Sequence, residues 1–190
     1  MIKAFEFYFD FSSPYSFLAH KQIQKIELKN NIKINYKPIL LGGLHKLAGI
    51  TPNAFIPAKA KFMIRDCKMC AEKLNIEFKF NSFFPITSLN LMRGVLIAEK
   101  INKKKKYIDI FFDAYWKNDL NLNDEGLIYK LFRKIGLNEI KFTNEIKDEL
   151  KNKTQEAFEK GIFGAPSFIV NNKIFFGQDR IEFVLKESEK

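Results

Sequence analysis

Residues 5–16 read FEFYFDFSSPYS, and this stretch decides how the rest of the chain is read. Phe5, Phe7 and Phe9 alternate with aromatic fill between them, the pattern of a largely buried strand spanning Lys3 to Phe9. Ser13 then precedes Pro14, which the first turn of a helix tolerates. Phe17, Leu18, Ile23 and Ile26 continue at helical spacing to about Leu28. Asn31 marks a turn, and Ile32 to Leu40 predict a second strand parallel to the first through a right-handed crossover.

Working outward, the far end mirrors this beginning. Gly164-Ala165-Pro166-Ser167 opens a strand over Ser167 to Val170, and Lys173 to Phe176 returns as a hairpin around Asn171-Asn172. Asp179 is positioned to cap a last helix ending near Lys186. Between the two ends, from a Gly42-Gly43 loop onward, the periodicity is helical. It predicts helices over Pro57–Leu74, Leu89–Ile101, Lys105–Trp116, Asp124–Lys134 and Glu139–Lys160, with loops at Pro85, Asn121 and Gly136. The expected fold is α/β, a sheet built by residues 1–41 and 161–190 with an inserted all-helical domain over 42–160.

A chain of 190 residues suffices for one core without staples, and 21 phenylalanines against the lone Trp116 point to a core or pocket rich in aromatic rings. The formal charge of +10 is carried by scattered lysines, the dense run being Lys103 to Lys106. No aromatic-interleaved basic motif accompanies it, which argues against nucleic acid as partner. No apolar run is long enough for a membrane span, and the N-terminus lacks the pattern of an export signal. A cytoplasmic protein is expected.

With its serines on either side of Pro14-Tyr15, the first segment has the layout of a thioredoxin-like active site, in which a strand leads to C-x-x-C at a helix N-terminus and a distant cis-proline loop completes the site. Taken with Pro57-Ala58-Lys59, Met63, Asp66, FFPITSLNLMR, IFGAPSFIV and FFGQDR, in that order, the chain resembles the family of 2-hydroxychromene-2-carboxylate isomerases and kappa-class glutathione transferases. That resemblance implies a thioredoxin-like sheet with a helical insertion, glutathione as cofactor and a homodimer. It makes Ser13 the catalytic residue, its hydroxyl donating to the glutathione sulfur, with Pro14 and Tyr15 beside it. Pro166 becomes the cis-proline and Ala165 the residue that pairs through its backbone with the cysteinyl part. Gln178 and Asp179 take the γ-glutamyl end, and Lys59 faces an acidic or electrophilic small-molecule substrate; His45, by its place in the Gly42-Gly43 loop and not by the resemblance, is a second candidate to face that substrate. The implied activity is glutathione-dependent isomerisation of an unsaturated carboxylic acid, the alternatives being a kappa-like glutathione transferase and a non-catalytic thioredoxin-fold binding module. Two positions depart from the family pattern, Ile50 where asparagine is common and Cys70 where tryptophan is.

Ser13 and Ser16 cannot form the mixed disulfide that thiol–disulfide exchange needs. Cys67-Lys68-Met69-Cys70 is a C-x-x-C, but it falls inside a helical pattern, where no helix N-terminus lowers a thiol pKa. Two cysteines and the distant His20 and His45 do not make a zinc set, so no metal is expected. Helix filler is the expected role of both thiols.

Overall fold

The computed structural model of the chain describes residues 4–30, 32–138 and 140–190. The expected strand start at Lys3, the turn at Asn31 and the expected helix start at Glu139 lie outside them. Strand β1 (Ala4–Phe9) leads through residues 10–13 into α1 (Pro14–Asn30), and β2 (Lys33–Pro38) returns parallel to β1 with Phe7 opposite Tyr36. Among the described residues seven further α-helices follow the first: α2 (Leu41–Leu47), α3 (Pro57–Lys73), α4 (Leu89–Lys100), α5 (Lys104–Trp116), α6 (Glu125–Lys134), α7 (Asn144–Glu159) and, at the end, α8 (Ile181–Ser188). Before α8, β3 (Ser167–Val170) and β4 (Lys173–Phe176) complete a mixed sheet of order β2-β1-β3-β4, with β3 antiparallel to β1 and β4. The hairpin turns on Asn171 and Asn172, both at positive φ (47° and 61°), a conformation asparagine tolerates better than most residues. This is a thioredoxin-like fold with helices inserted between the two halves of its sheet.

The period of two in β1 sends Phe5, Phe7 and Phe9 to one face. There Phe7 stacks on Phe168 of β3 at 5.3 Å, and Phe9 and Phe11 meet Phe112 of α5. Trp116, fully buried at the end of α5, donates its indole N–H to Phe11 O at 2.8 Å. The inserted helices are thereby tied to the segment that carries Ser13. Tyr8 points to the opposite face, into a smaller cluster with Ile39, Leu44, Ala157 and Ile162.

Two local expectations require correction. Gly42 and Gly43 are not a loop but the first turn of α2; Leu41 N–H donates to Asp10 Oδ2 at 2.8 Å and Leu44 is buried, so tertiary anchors outweigh glycine's poor helix propensity. Asp179 does not cap the last helix: it sits in the 3-10 turn Gln178–Arg180, its carboxylate accepts from Arg180 at 2.8 Å, and α8 begins without a side-chain cap. Helix α7 starts at Asn144, where Thr143 accepts from Ile146 N–H.

Candidate active site

Ser13 occupies the N-cap of α1. Its Oγ accepts from Ser16 N–H at 3.1 Å, closing the first turn, and its own proton goes to Ala165 O at 2.9 Å. Ser13 and Ala165 are 152 residues apart in sequence, so the two ends of the chain meet at this serine, which is 4% exposed. The Ala165–Pro166 bond is cis, and so is Phe84–Pro85, which sequence reading missed. Behind Ala165, a methyl group on Gly164 would come within 2.7 Å of the Phe176 ring, which brings the loop close to β4. Ser167 Oγ bonds back to Gly164 O at 2.7 Å and steadies the same turn.

A cavity of about 1480 Å³ opens over this pair. Ser13, Pro14 and Tyr15 line it from α1, Ala165 and Pro166 from the loop before β3, and Gln178 and Asp179 from the turn before α8. His45 enters from α2, not from the expected loop. Burial lowers its pKa despite the opposing charge of Asp10, so its imidazole is neutral near pH 7. Lys59 is not brought to this cavity. It is exposed and lines an adjoining pocket of about 400 Å³ with Tyr15, Asn53 and Phe62.

The sequence reading passed over Asp10. Its carboxylate is wholly buried and accepts four hydrogen bonds, from Ser12 N–H (2.8 Å) and Ser12 Oγ (2.9 Å) at one oxygen and from Leu41 N–H (2.8 Å) and Ser88 Oγ (2.9 Å) at the other. Burial pushes its pKa up while the four donors pull it back. The Asp-x-Ser spacing of residues 10–12 is an Asx-turn pattern that marks the local half of this arrangement. Ser88 and Leu41 are distant in sequence and leave no such mark.

Cys67 is buried and Cys70 is partly exposed in the cavity wall, both as free thiols. Burial raises both pKa values, and the carboxylates of Asp66 and Asp179 raise that of Cys70 further. Neither thiol is set up as a thiolate. Among the described residues, no group of three or more potential ligands could hold a metal ion, and no helix is long and apolar enough to cross a membrane.

Residues 4–188 match the family model of the DSBA-like thioredoxin domain. The chain belongs to that family. It is similar to the 2-hydroxychromene-2-carboxylate isomerase of Sphingobium xenophagum, with 25% identity over 97% of each chain. It is similar at the same level, 25%, to glutathione S-transferase kappa 1 of Rattus norvegicus, over 96% of this chain and 89% of the relative. A solved 2-hydroxychromene-2-carboxylate isomerase superposes with a TM-score of 0.85 at 22% identity, covering 96% of this chain and 93% of that one, and so shares the fold. Within the family this chain presents Ser13 to the cis-proline loop.

Proposed function

We propose that the protein is a glutathione-dependent enzyme that activates the tripeptide's sulfur at Ser13. The observation that carries this reading is the Ser13–Ala165 contact: a hydroxyl donor at a helix N-terminus faces a backbone carbonyl that precedes a cis-proline. Ser13 Oγ has one proton, and it rests on Ala165 O at 2.9 Å. Ala165 O is a ready acceptor for a ligand N–H, and that exchange frees the hydroxyl to turn toward an anionic sulfur. The N-terminus of α1 favours the same negative charge. Asp179 suits the ligand's ammonium and Gln178 its carboxylate, both from the turn before α8 that lines the cavity.

Glutathione bound there would supply a thiolate for addition to an electrophilic carbon. Reversal of that addition, after rotation of a bond or reopening of a ring, makes an isomerase of an unsaturated carboxylic acid. Release of the adduct makes a transferase. Lys59 lines an adjoining pocket that shares Tyr15 and Asn53 with the main cavity, whereas Lys73 and Arg180 line the main cavity itself and are the cations there that a substrate carboxylate would meet. Assaying an uncharged electrophile against an unsaturated hydroxy acid separates the two.

Calorimetry and thermal melting with glutathione test the shared premise. Binding stabilises the fold by about 2.7 kcal/mol when the ligand is at 100 times its Kd. The absence of both heat and thermal shift at millimolar glutathione would favour a non-catalytic binding module. The cellular site we infer is the cytoplasm, and the assembly a homodimer, as the resemblance to kappa-class transferases suggests. Light scattering that gives a mass near 22.3 kDa at micromolar concentration would overturn the dimer.

A further inference from the structure

Gln178 is buried at 9% exposure, and its side chain is already held on two sides. Its Oε1 accepts from Gln22 Nε2 at 2.9 Å, and the same Gln22 nitrogen reaches Gln178 O at 3.0 Å. Its Nε2 donates to Cys70 Sγ at 3.3 Å. Cys70 in turn lies 3.9 Å from Asp66 Oδ2, the oxygen that accepts from Tyr15 O–H at 2.8 Å. A continuous chain of polar contacts thus runs from Tyr15, two residues after Ser13, through Asp66 and Cys70 to Gln178 and Gln22.

We propose that Cys70 is a positioning residue for the γ-glutamyl end of the site, acting as a neutral thiol that fixes the carboxamide of Gln178. This rests on the glutathione reading and deepens it. The chemistry follows from donor counting. A carboxamide has two N–H donors and one oxygen; Cys70 takes one N–H and Gln22 occupies the oxygen, so the remaining N–H has one defined direction. A thiol performs both halves of the bridge, its weak S–H toward the Asp66 carboxylate and its sulfur accepting from Gln178. Protonation is what lets it do so, and its surroundings favour the protonated form: burial and two carboxylates all disfavour a thiolate. The C-x-x-C motif is therefore neither a redox pair nor simple filler. Its second cysteine aims a ligand-binding amide.

The test compares wild type, Cys70→Val, Cys70→Ser and Gln22→Leu, each checked for an unchanged melting profile without ligand. Two quantities are read: the Kd for glutathione by calorimetry, and the ultraviolet thiolate band of bound glutathione at saturation. Cys70→Val and Gln22→Leu should raise Kd about fivefold, the equivalent of one neutral hydrogen bond. Cys70→Ser, which can still donate and accept, should stay within about twofold of wild type. The thiolate band at saturation should be the same in all four, because Ser13 is untouched. If wild type binds no glutathione, the proposed function fails and this inference with it. If wild type binds and Cys70→Val binds equally well, only this inference fails. A Cys70→Ser variant as weak as Cys70→Val, or a thiolate band lost in either, also overturns the positioning role.

Discussion

At the scale of single residues, Ser13 does two jobs with one hydroxyl, and substitution should separate them. It caps α1 through Ser16 N–H, so Ser13→Ala should cost about 1 kcal/mol of stability by chemical denaturation. If it also holds the glutathione thiolate, turnover should fall by about a hundredfold or more, on the scale of losing one oriented charge-stabilising donor. Equal turnover in variant and wild type would remove Ser13 from the chemistry. Gly94 offers a test of packing: a methyl group there would lie 2.1 Å from Tyr107 Oη, which donates to Leu91 O from a fully buried position. Gly94→Ala should destabilise by about 1–3 kcal/mol, and somewhat less in a Tyr107→Phe background, where the oxygen is gone and the ring carbon 2.7 Å from the added methyl remains. Purely additive losses would contradict the clash. The Ser13 motif was legible because a serine before Pro14 at the end of an alternating strand is a local pattern. The roles of Gly94 and Cys70 were not, since each depends on a partner far away in sequence.

At the scale of elements, the buried carboxylate of Asp10 joins three of them. Its acceptors hold the loop that carries Ser12 and Ser13, the N-terminus of α2 with His45, and Ser88 at the start of α4. Asp10→Ala leaves these donors without an acceptor, and unsatisfied buried polar groups cost about 1–3 kcal/mol each. A loss of at least about 3 kcal/mol is expected, with Asp10→Asn intermediate because one oxygen remains. A loss below about 1 kcal/mol in urea titration would show that water replaces the carboxylate freely. The same residue explains why α2 was misread. Two adjacent glycines signal a loop in isolation, and what makes them helical is Leu44 in the core and a hydrogen bond from Leu41 to Asp10, thirty-one residues back. The hairpin at Asn171-Asn172, by contrast, was legible because its turn chemistry is local. Lys59 was correctly placed on a helix, yet nothing in the P-A-K motif tells which pocket that helix face lines.

At the scale of the whole molecule, the aromatic core encloses titratable groups that tie folding to pH. His20 is fully buried, stacks on Phe112 at 5.1 Å and bonds Asp109 at 2.8 Å. Burial lowers its pKa even though Asp109 pulls it upward. The unfolded chain, with an ordinary histidine near pKa 6.5, therefore takes up a proton before the folded one. Stability is fully present above about pH 6.5 and declines as pH falls toward the folded pKa, with His45 contributing in the same direction. Urea midpoints between pH 5 and pH 7.5 should show this decline, flattened in His20→Gln; an unflattened curve would place the titration elsewhere. The broader arrangement, a sheet closed by the first and last segments around inserted helices, was readable from periodicity and from the order of motifs. That the Pro166 loop closes over Ser13 was implied by the family resemblance; the hydrogen bond from Ser13 to Ala165 O was not, because those two groups meet only once the fold exists.

If the meeting point of Ser13 and Ala165 stabilises a glutathione thiolate, the ultraviolet difference spectrum of the protein at saturating glutathione near neutral pH shows it. A thiolate band is expected in the wild-type complex, strongly reduced in Ser13→Ala at matched saturation. A saturated wild-type complex with no such band, or one of equal strength in Ser13→Ala, would contradict that stabilisation.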